Sequence, residues 1–409
     1  MTTRRDRTVL ASVVFVVLLA QVLLYPGIDT LVAVFDGGSA LQSGMWFLAA
    51  EFAAFVAFAG VWGALSDAAG RRAPFVAAGA LGGAIGYGVL AVLPSVASVS
   101  FGVVLVIRLV QGAATIGAFS LAMTMLMDLD GGHGRNMGAA GIAIGSGTAL
   151  GAPLGGQLYE IGPLVPVAAA SVLLFVVAVL AAVVLVGQEQ QVGDAGGGSD
   201  AGENHESTLW SAVTGVRDTP ILLVPYAFGF MDRLTAGFFA LVGTLYFREV
   251  FGLDPGTTGL MLALFFAPFA LLQYPFGIVS DRIGRVIPVV AGSTLYGIVV
   301  IAVGYAPTVQ LAGAAMVAVG VVGALMSPAT MALVTDFARE EDRGVAMAGF
   351  NAFGSTGFLA GVLVGGTVAD RFGYEAAFVT AGGFEILLAV VTVPFFLRLR
   401  SRAVIGAGQ

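Results

Sequence analysis

Six ionisable residues lie inside long apolar stretches of the sequence, where a charged group is costly. They are Asp29, Glu51, Arg108, Asp232, Arg233 and Glu385. A carboxyl group in such surroundings can take up and release a proton, and a neighbouring arginine changes how tightly that proton is held. Arginine can also bind an anionic substrate through paired hydrogen bonds. These six residues are therefore the first candidates for proton coupling and substrate binding.

The composition indicates whether these groups lie in water or in a lipid bilayer. Of the 409 residues, 58% are hydrophobic and 11% are charged, and the mean hydropathy is +0.96. Soluble proteins carry about 25% charged residues, so the chain is predicted to lie in the lipid bilayer. A membrane helix takes roughly 20 apolar residues, and such stretches lie at about 8–33, 42–65, 73–93, 99–127, 137–158, 164–187, 219–247, 257–280, 286–306, 309–335, 344–369 and 375–398.

The residue types that are missing exclude several classes of function. The sequence has no cysteine, and its two histidines, His133 and His205, lack ligand-spaced neighbours, so no metal site is expected. No lysine occurs, which excludes the phosphate-binding loop of nucleotide enzymes. The net charge of −7 argues against nucleic-acid binding. With no nucleophile–base pair either, we expect neither an enzyme nor a cofactor.

The arginines indicate the orientation of the twelve predicted spans. If both termini are inside, most of the 18 basic residues lie at cytoplasmic ends, and only Arg248 and Arg371 fall outside. Cytoplasmic loops are enriched in basic residues, so the sequence predicts an N-in/C-in protein. The acidic, Gly/Ser-rich stretch 188–218 predicts a flexible cytoplasmic linker. It would separate an N-terminal six-helix bundle (1–187) from a C-terminal one (219–409).

The two halves repeat each other's landmarks. The stretch "GALSDAAGRR" at 63–72 recurs as "GIVSDRIGR" at 277–285, which aligns Gly63, Asp67, Gly70 and Arg71 with Gly277, Asp281, Gly284 and Arg285. Four glycines of the fifth span recur 210 residues later, and these are Gly147, Gly151, Gly155 and Gly156. Such a parallel repeat is typical of secondary transporters. It predicts an all-α membrane protein built from two pseudo-symmetric six-helix bundles.

These motifs resemble those of the major facilitator superfamily over essentially the whole chain. "GVWGALSDAAGRR" is similar to the family's loop signature between helices two and three, and "RLVQG" at 108–112 to its Arg-x-x-Gln-Gly motif. "GTALGAPLGG" at 147–156 is similar to the helix-five motif of antiporters, although the usual Gly-Pro pair reads Gly151-Ala152-Pro153 here. The resemblance implies twelve helices and alternating access, and it is strongest to the drug:H⁺ antiporter-type members. The small residues of the last motif also predict close helix packing.

The loop motif has a physical interpretation of its own. Gly63 and Gly70 allow a helix to end, turn tightly and approach a neighbour, and Asp67 can face the positive N-terminus of another helix. Arg71 is placed to pair with a carboxylate such as Asp128. The resemblance implies that this cluster holds the two halves together on the cytoplasmic side in the outward-open state. The alternative is that Arg71 serves only to orient the helices.

Glu51 and Arg108 lie at similar depth and carry opposite charges. A rise of about 1.5 Å per residue places each roughly 14 Å from the outer end of its span. Our leading hypothesis is that Glu51 carries a proton and that its distance to Arg108 changes during transport. Gln111, one turn from Arg108, is expected to bond the carboxylate or the substrate. The alternative is a static bridge that only holds the bundle together.

The other buried charges are weaker candidates. Asp232 and Arg233 are adjacent and point about 100° apart around their helix, so that one can line the cavity while the other does not. Asp232 is a candidate for substrate contact or for a structural pair. Glu385 is a cavity candidate, although the resemblance places helix twelve at the outside of the bundle. Asp29 is expected near the outer surface, where it can also cap a helix.

Three functions fit these residues. The first is proton-driven export of small amphipathic or drug-like compounds, favoured by the helix-five motif and the buried carboxylates. The second is a proton- or sodium-coupled symporter for an organic anion or a sugar, although the spans hold few amides to bind a sugar. The third, a sensor or scaffold, would not need buried charge. We expect the first, in a monomeric, multi-pass protein of the plasma membrane that exchanges a small-molecule substrate for H⁺, with Na⁺ as the alternative ion.

Overall fold

The structure is a computed structural model that describes residues 2–130, 133–186 and 219–406. Within these ranges every regular element is a helix and no strand occurs, which confirms the predicted all-α class. The linker predicted at 188–218 lies outside the described residues.

The N-terminal part consists of helices joined by short connections. They are α1 (Thr2–Val22), α2 (Ile28–Ala33), α3 (Ala40–Ala69), α4 (Ala73–Val96), α5 (Phe101–Asp128), α6 (His133–Ile161) and α7 (Val165–Ala181). A 3-10 turn at Tyr25–Gly27 joins α1 to α2, so the first predicted span contains two helices. A π-helical turn at Ala182–Val186 extends α7.

The C-terminal part follows the same plan. Its helices are α8 (Leu223–Phe238), α9 (Thr244–Glu249), α10 (Pro255–Ile283), α11 (Val286–Gly304), α12 (Val309–Phe337) and α13 (Arg343–Gly406). A π-helical turn at Phe239–Gly243 joins α8 to α9. The long α13 is two helices that meet at a kink, because Gly373 has non-helical angles, with φ 86° and ψ 171°.

The helices are long and apolar enough for a membrane protein. In the described ranges, 11 helical segments could cross a bilayer. The last, Arg343–Leu397, has 55 residues. At about 1.5 Å per residue this is more than twice the ~30 Å thickness of the hydrocarbon core. The protein is therefore a multi-pass membrane protein.

Left-handed glycines end the two helices that carry the repeated loop motif. Gly70 follows α3 with φ 63° and Gly284 follows α10 with φ 88°. Glycine adopts this conformation without the steric penalty of a Cβ atom. The tight turn predicted at Gly70 is therefore present, and the second copy repeats it.

Glycines also bring two matching helix pairs into backbone contact. Those of α6 at positions 147, 151 and 155 face α1, position 156 faces the start of α10, and positions 357, 361 and 365 of α13 face α8. A Cβ atom on Gly147 would lie 2.8 Å from the carbonyl oxygen of Phe15, so a larger residue would force α1 and α6 apart. Pro153 lies within α6. The motif thus makes the close packing that small residues allow.

The helices form two compact units. One groups α1–α7 with residues 243–267, and the other groups α8 with residues 268–409. Residues 243–267, which comprise α9 and the first part of α10, are called the α9–α10 hairpin below. The hairpin belongs to the second sequence repeat, yet it groups with the helices of the first repeat.

Candidate functional site

The ion pair of Glu51 and Arg108 joins α3 to α5 within the first unit. Both side chains are fully buried. The Arg108 Nη2 group donates to Glu51 Oε2. Its Nη1 group donates to Gln111 Oε1 at 2.6 Å, and Nε donates to the backbone oxygen of Phe47 at 3.4 Å. Each guanidinium nitrogen therefore has an acceptor, and the partner carboxylate rather than water balances the charge.

The other carboxylate oxygen of Glu51, Oε1, accepts two further hydrogen bonds. The Tyr87 hydroxyl on α4 donates to it at 3.3 Å, and Gln111 Nε2 donates at 3.2 Å. The same Nε2 donates to Thr115 Oγ1 at 2.8 Å. The contact expected between Gln111 and the carboxylate is thus present, as part of a network that spans three helices.

Aromatic rings and a glycine surround this network. The Arg108 Cζ atom lies 4.3 Å from the ring centroid of Phe47 and 5.5 Å from that of Tyr87, distances at which a cation is attracted to the ring face. A Cβ atom on Gly112 would lie 2.7 Å from the backbone oxygen of Glu51. The helices α3 and α5 approach closely enough for the pair because this position is glycine.

Sequence reasoning missed Tyr87 and Phe47. The available signal for Tyr87 was its position in "GALGGAIGYGVL" at 79–90, a span of small and aliphatic residues with one polar-ended side chain. Phe47 carried no comparable signal, since the chain has 29 phenylalanines.

Asp29 forms an ion pair that was not predicted. It lies in the first turn of α2. Arg248 of the α9–α10 hairpin donates to its two carboxylate oxygens, from Nη2 at 2.8 Å and from Nε at 3.0 and 3.1 Å. Arg248 Nη1 also donates to the carbonyl oxygen of Leu253 at 2.6 Å. This pair ties the hairpin to α2 inside the first unit, and Asp29 does not act as the N-cap that was considered.

A second contact holds the start of α10 against α6. Glu160 Oε1 accepts a hydrogen bond from the backbone N–H of Gly256 at 3.1 Å. Asp254 caps α10 by accepting from the backbone N–H of Thr257 at 2.7 Å and from its hydroxyl at 2.9 Å. These hydrogen bonds, the backbone one above all, hold the pKa of Asp254 below its usual value because they stabilise the charged form.

Asp232 and Arg233 occupy different surroundings in the second unit. The Asp232 residue is only 8% exposed and its carboxyl group is hydrogen-bonded to the hydroxyl of Ser327 on α12. Arg233 is exposed, and its stem lies against Gly354 of α13. The predicted divergence of the two side chains is therefore present, with the acid inside and the base outside.

Glu385 is buried where α13 packs against α11. Its side chain is on α13, and its Oε2 atom lies 2.5 Å from the hydroxyl of Ser293 on α11. Both residues are fully buried.

The loop motif forms an acid–arginine–acid cluster, with one difference from the prediction. Arg72, the neighbour of the predicted Arg71, donates to Asp128 Oδ2 from Nη1 at 2.7 Å, and it donates to Asp67 Oδ1 from Nη2 at 3.1 Å. Arg72 is the residue at the N-cap of α4. A shift of one position at a helix end changes the direction of a side chain, which the spacing alone did not resolve.

The second copy of the motif repeats this cluster. Arg285 pairs with Asp281 and donates to Asp336 Oδ2 from Nε at 3.5 Å. The arginine of this copy aligns with Arg71 and not with Arg72. In each copy one arginine therefore contacts two aspartates.

We expect Asp67→Asn to lower transport while membrane insertion stays normal. The substitution removes one charge from the Arg72 cluster, and an exposed ion pair contributes about 0.2–1 kcal/mol, so transport should fall by up to about fivefold. Substrate flux in proteoliposomes and yield in the membrane fraction measure the two effects. Transport at the wild-type rate would show that the cluster only orients the helices, as arginine alone can do.

Apolar helices that carry a fully buried acid–arginine pair are typical of membrane transport proteins. The sequence profile described as "Major Facilitator Superfamily" matches residues 10–247 and 226–407. The chain therefore belongs to the major facilitator superfamily.

Relatives and solved structures agree with this assignment. "Multidrug resistance protein 2" of Bacillus subtilis is 30% identical over 148 residues, which cover 36% of each chain. The alignments with the first curated relatives cover only 33–42% of those relatives' own lengths. A bacterial homologue of the human lysosomal transporter Spinster, solved in an inward-facing and occupied conformation, has a TM-score of 0.76 and 12% identity over 96% of each chain. A D-xylose–proton symporter has a TM-score of 0.70 and 14% identity over 95% of this chain and 97% of its own. Likenesses at such identity show the fold alone.

Proposed function

We propose that this transporter exports small amphipathic compounds in exchange for protons. The observation that carries the proposal is the fully buried network of Glu51, Arg108, Gln111 and Tyr87. Carboxyl groups at membrane depth mark proton and ion pathways in transporters. The name of the B. subtilis relative, which refers to multidrug resistance, supports the choice of cargo.

In the proposed cycle Glu51 changes its affinity for protons as its contacts change. In the present conformation Arg108, Tyr87 and Gln111 all donate hydrogen bonds to the carboxyl group of Glu51. Movement of α5 relative to α3 would lengthen the contact with Arg108, and a buried carboxylate without its counter-charge binds a proton. The proton would be released when the pair forms again.

The proposal includes twelve membrane crossings with both termini in the cytoplasm. The kink at Gly373 divides the longest apolar segment into two pieces, and each is long enough to cross. The placement of the arginines supports the orientation. We further propose two six-helix halves at 1–187 and 219–409 joined by the linker 188–218, in a monomer of the plasma membrane.

Uptake of an organic anion or sugar with H⁺ or Na⁺ is the second candidate. It would use Arg108 or Arg233 to bind a carboxylate or phosphate. Arg108 already donates hydrogen bonds to Glu51, Gln111 and a backbone oxygen. Because these donors are engaged within the protein, Arg108 is a poor ligand for an anionic substrate, which favours export. Arg233 is exposed and is the better candidate for an anion.

We expect a lipophilic cation such as tetraphenylphosphonium to dissipate a pH gradient across proteoliposomes that contain the protein. The Glu51→Gln variant should lose this response, because a neutral amide cannot carry the proton. It should still exchange labelled cation at equal pH on the two sides, which shows that the variant is folded and binds cargo. A dye in the lumen reports the pH.

Glu375→Gln is the control, since Glu375 is exposed on the same chain and should keep the response. A gradient that dissipates equally well with Glu51→Gln would contradict the role of Glu51. A response to a carboxylate or sugar, and none to the cation, would favour the symporter and make the arginines the substrate ligands.

A further inference from the structure

The helices α11 and α13 meet at glycines next to Glu385. A Cβ atom on Gly297 would collide with the backbone oxygen of Gly382, and it would lie 3.1 Å from the Cβ atom of Glu385. This backbone contact brings Ser293 of α11 against Glu385 of α13, where both are fully buried. The arrangement belongs to the second unit and is separate from the Glu51 network.

The hydroxyl of Ser293 has more acceptors than it has protons. Its Oγ atom lies 2.5 Å from Glu385 Oε2 and 3.3 Å from the backbone carbonyl oxygen of the same residue. A serine hydroxyl has one proton to donate and can also accept. If it donates to the carbonyl oxygen, then the proton in the shorter contact must come from the carboxyl group. A protonated Glu385 satisfies both contacts at once.

The charges around Glu385 favour the same form. Among the described residues it makes no salt bridge, and its Oε1 atom has no hydrogen-bond partner. The titratable or charged groups that face it are Asp232 of α8, whose charge acts on Glu385, and Tyr296 of α11, whose buried hydroxyl is also unpartnered. Arg233 acts on Tyr296, but its side chain is exposed. A carboxylate here would lack a counter-charge and would lie near a second acid, which is costly in an apolar interior.

We propose that Glu385 is a proton-binding site, in which the neutral acid donates to Ser293 and Ser293 donates to the backbone. The bound species is H⁺, and the site differs from Glu51 in kind. Glu51 is paired with an arginine, whereas Glu385 contacts a serine. The proposal concerns proton binding and does not depend on which compound the transporter carries.

Infrared spectroscopy of the purified protein without any substrate tests this site. We expect a carboxylic C=O band at neutral pH that shifts in D₂O. The band should disappear in Glu385→Gln, whose side-chain amide can still donate a hydrogen bond to Ser293. In Ser293→Ala the band should remain but move to higher frequency, because the acid loses its acceptor.

Two further variants complete the test. Glu375→Gln removes an exposed glutamate and should leave the band unchanged, and size-exclusion profiles should show that all variants are folded. If wild type has no such band, or if Glu385→Gln retains it, the proposal is wrong. Loss of the band in Asp232→Asn, with Glu385→Gln unaffected, would place the proton on Asp232 instead. Because no cargo is present, failure of the export proposal cannot produce any of these results.

Discussion

Arg108→Met is expected to lower the unfolding free energy by about 3–5 kcal/mol, because removal of one partner leaves the other charge buried without compensation. Glu51 would lose the donor to Oε2 while it stays fully buried. The Gln111 amide oxygen and the Phe47 carbonyl would lose their donors as well. The unfolding midpoint in detergent measures the effect.

The double variant Glu51→Leu with Arg108→Met should recover most of the lost stability. A buried ion pair that is replaced by apolar residues of similar volume is often neutral or even stabilising. The double variant should nevertheless fail to couple cation movement to a pH gradient. Recovery of both stability and coupling would show that the pair is only structural. No recovery of stability would show that Tyr87 and Gln111 depend on the charges.

A covalent link between positions 29 and 248 is expected to reduce transport to the level of vesicles without protein. Alternating access requires contacts on each side of the substrate site to open in turn, and Arg248 holds the α9–α10 hairpin to α2 through three hydrogen bonds to Asp29. The chain has no cysteine, so Asp29→Cys with Arg248→Cys introduces the only two thiols. A flexible bifunctional thiol reagent then links them.

The unlinked double variant provides the reference rate, since it already lacks the ion pair. Each single variant treated with the same reagent controls for modification without linkage. Cleavage of a reducible linker should restore the rate. Full transport by the linked protein would show that this contact stays closed throughout the cycle.

The Glu51–Arg108–Gln111 network could be predicted from the sequence. In a regular helix, the position of a residue along the chain indicates both its depth in the membrane and the helix face on which it lies. Arg108 and Gln111 are three residues apart and so share a face. Glu51 lies at matching depth on another span, and opposite charges in an apolar medium have few other partners. The glycine motif was equally informative, since small residues at regular spacing indicate a helix contact before its partner is known.

The remaining partners depend on which helices are neighbours, which one sequence does not reveal. The pair of Asp29 and Arg248 joins residues 219 positions apart. Ser293 was not predicted because an uncharged serine in a membrane helix does not by itself indicate a functional site. Arg72 was not predicted because the spacing alone does not show the direction of a side chain at a helix end.

The α9–α10 hairpin has a consequence for how the gene can be divided. A duplication that copied six spans would give each copy its own helices, yet here residues 243–267 of the later copy pack with the earlier one. Two polypeptides divided within 188–218 would separate Asp29 from Arg248, so the α9–α10 hairpin would form this ion pair only when the two pieces associate.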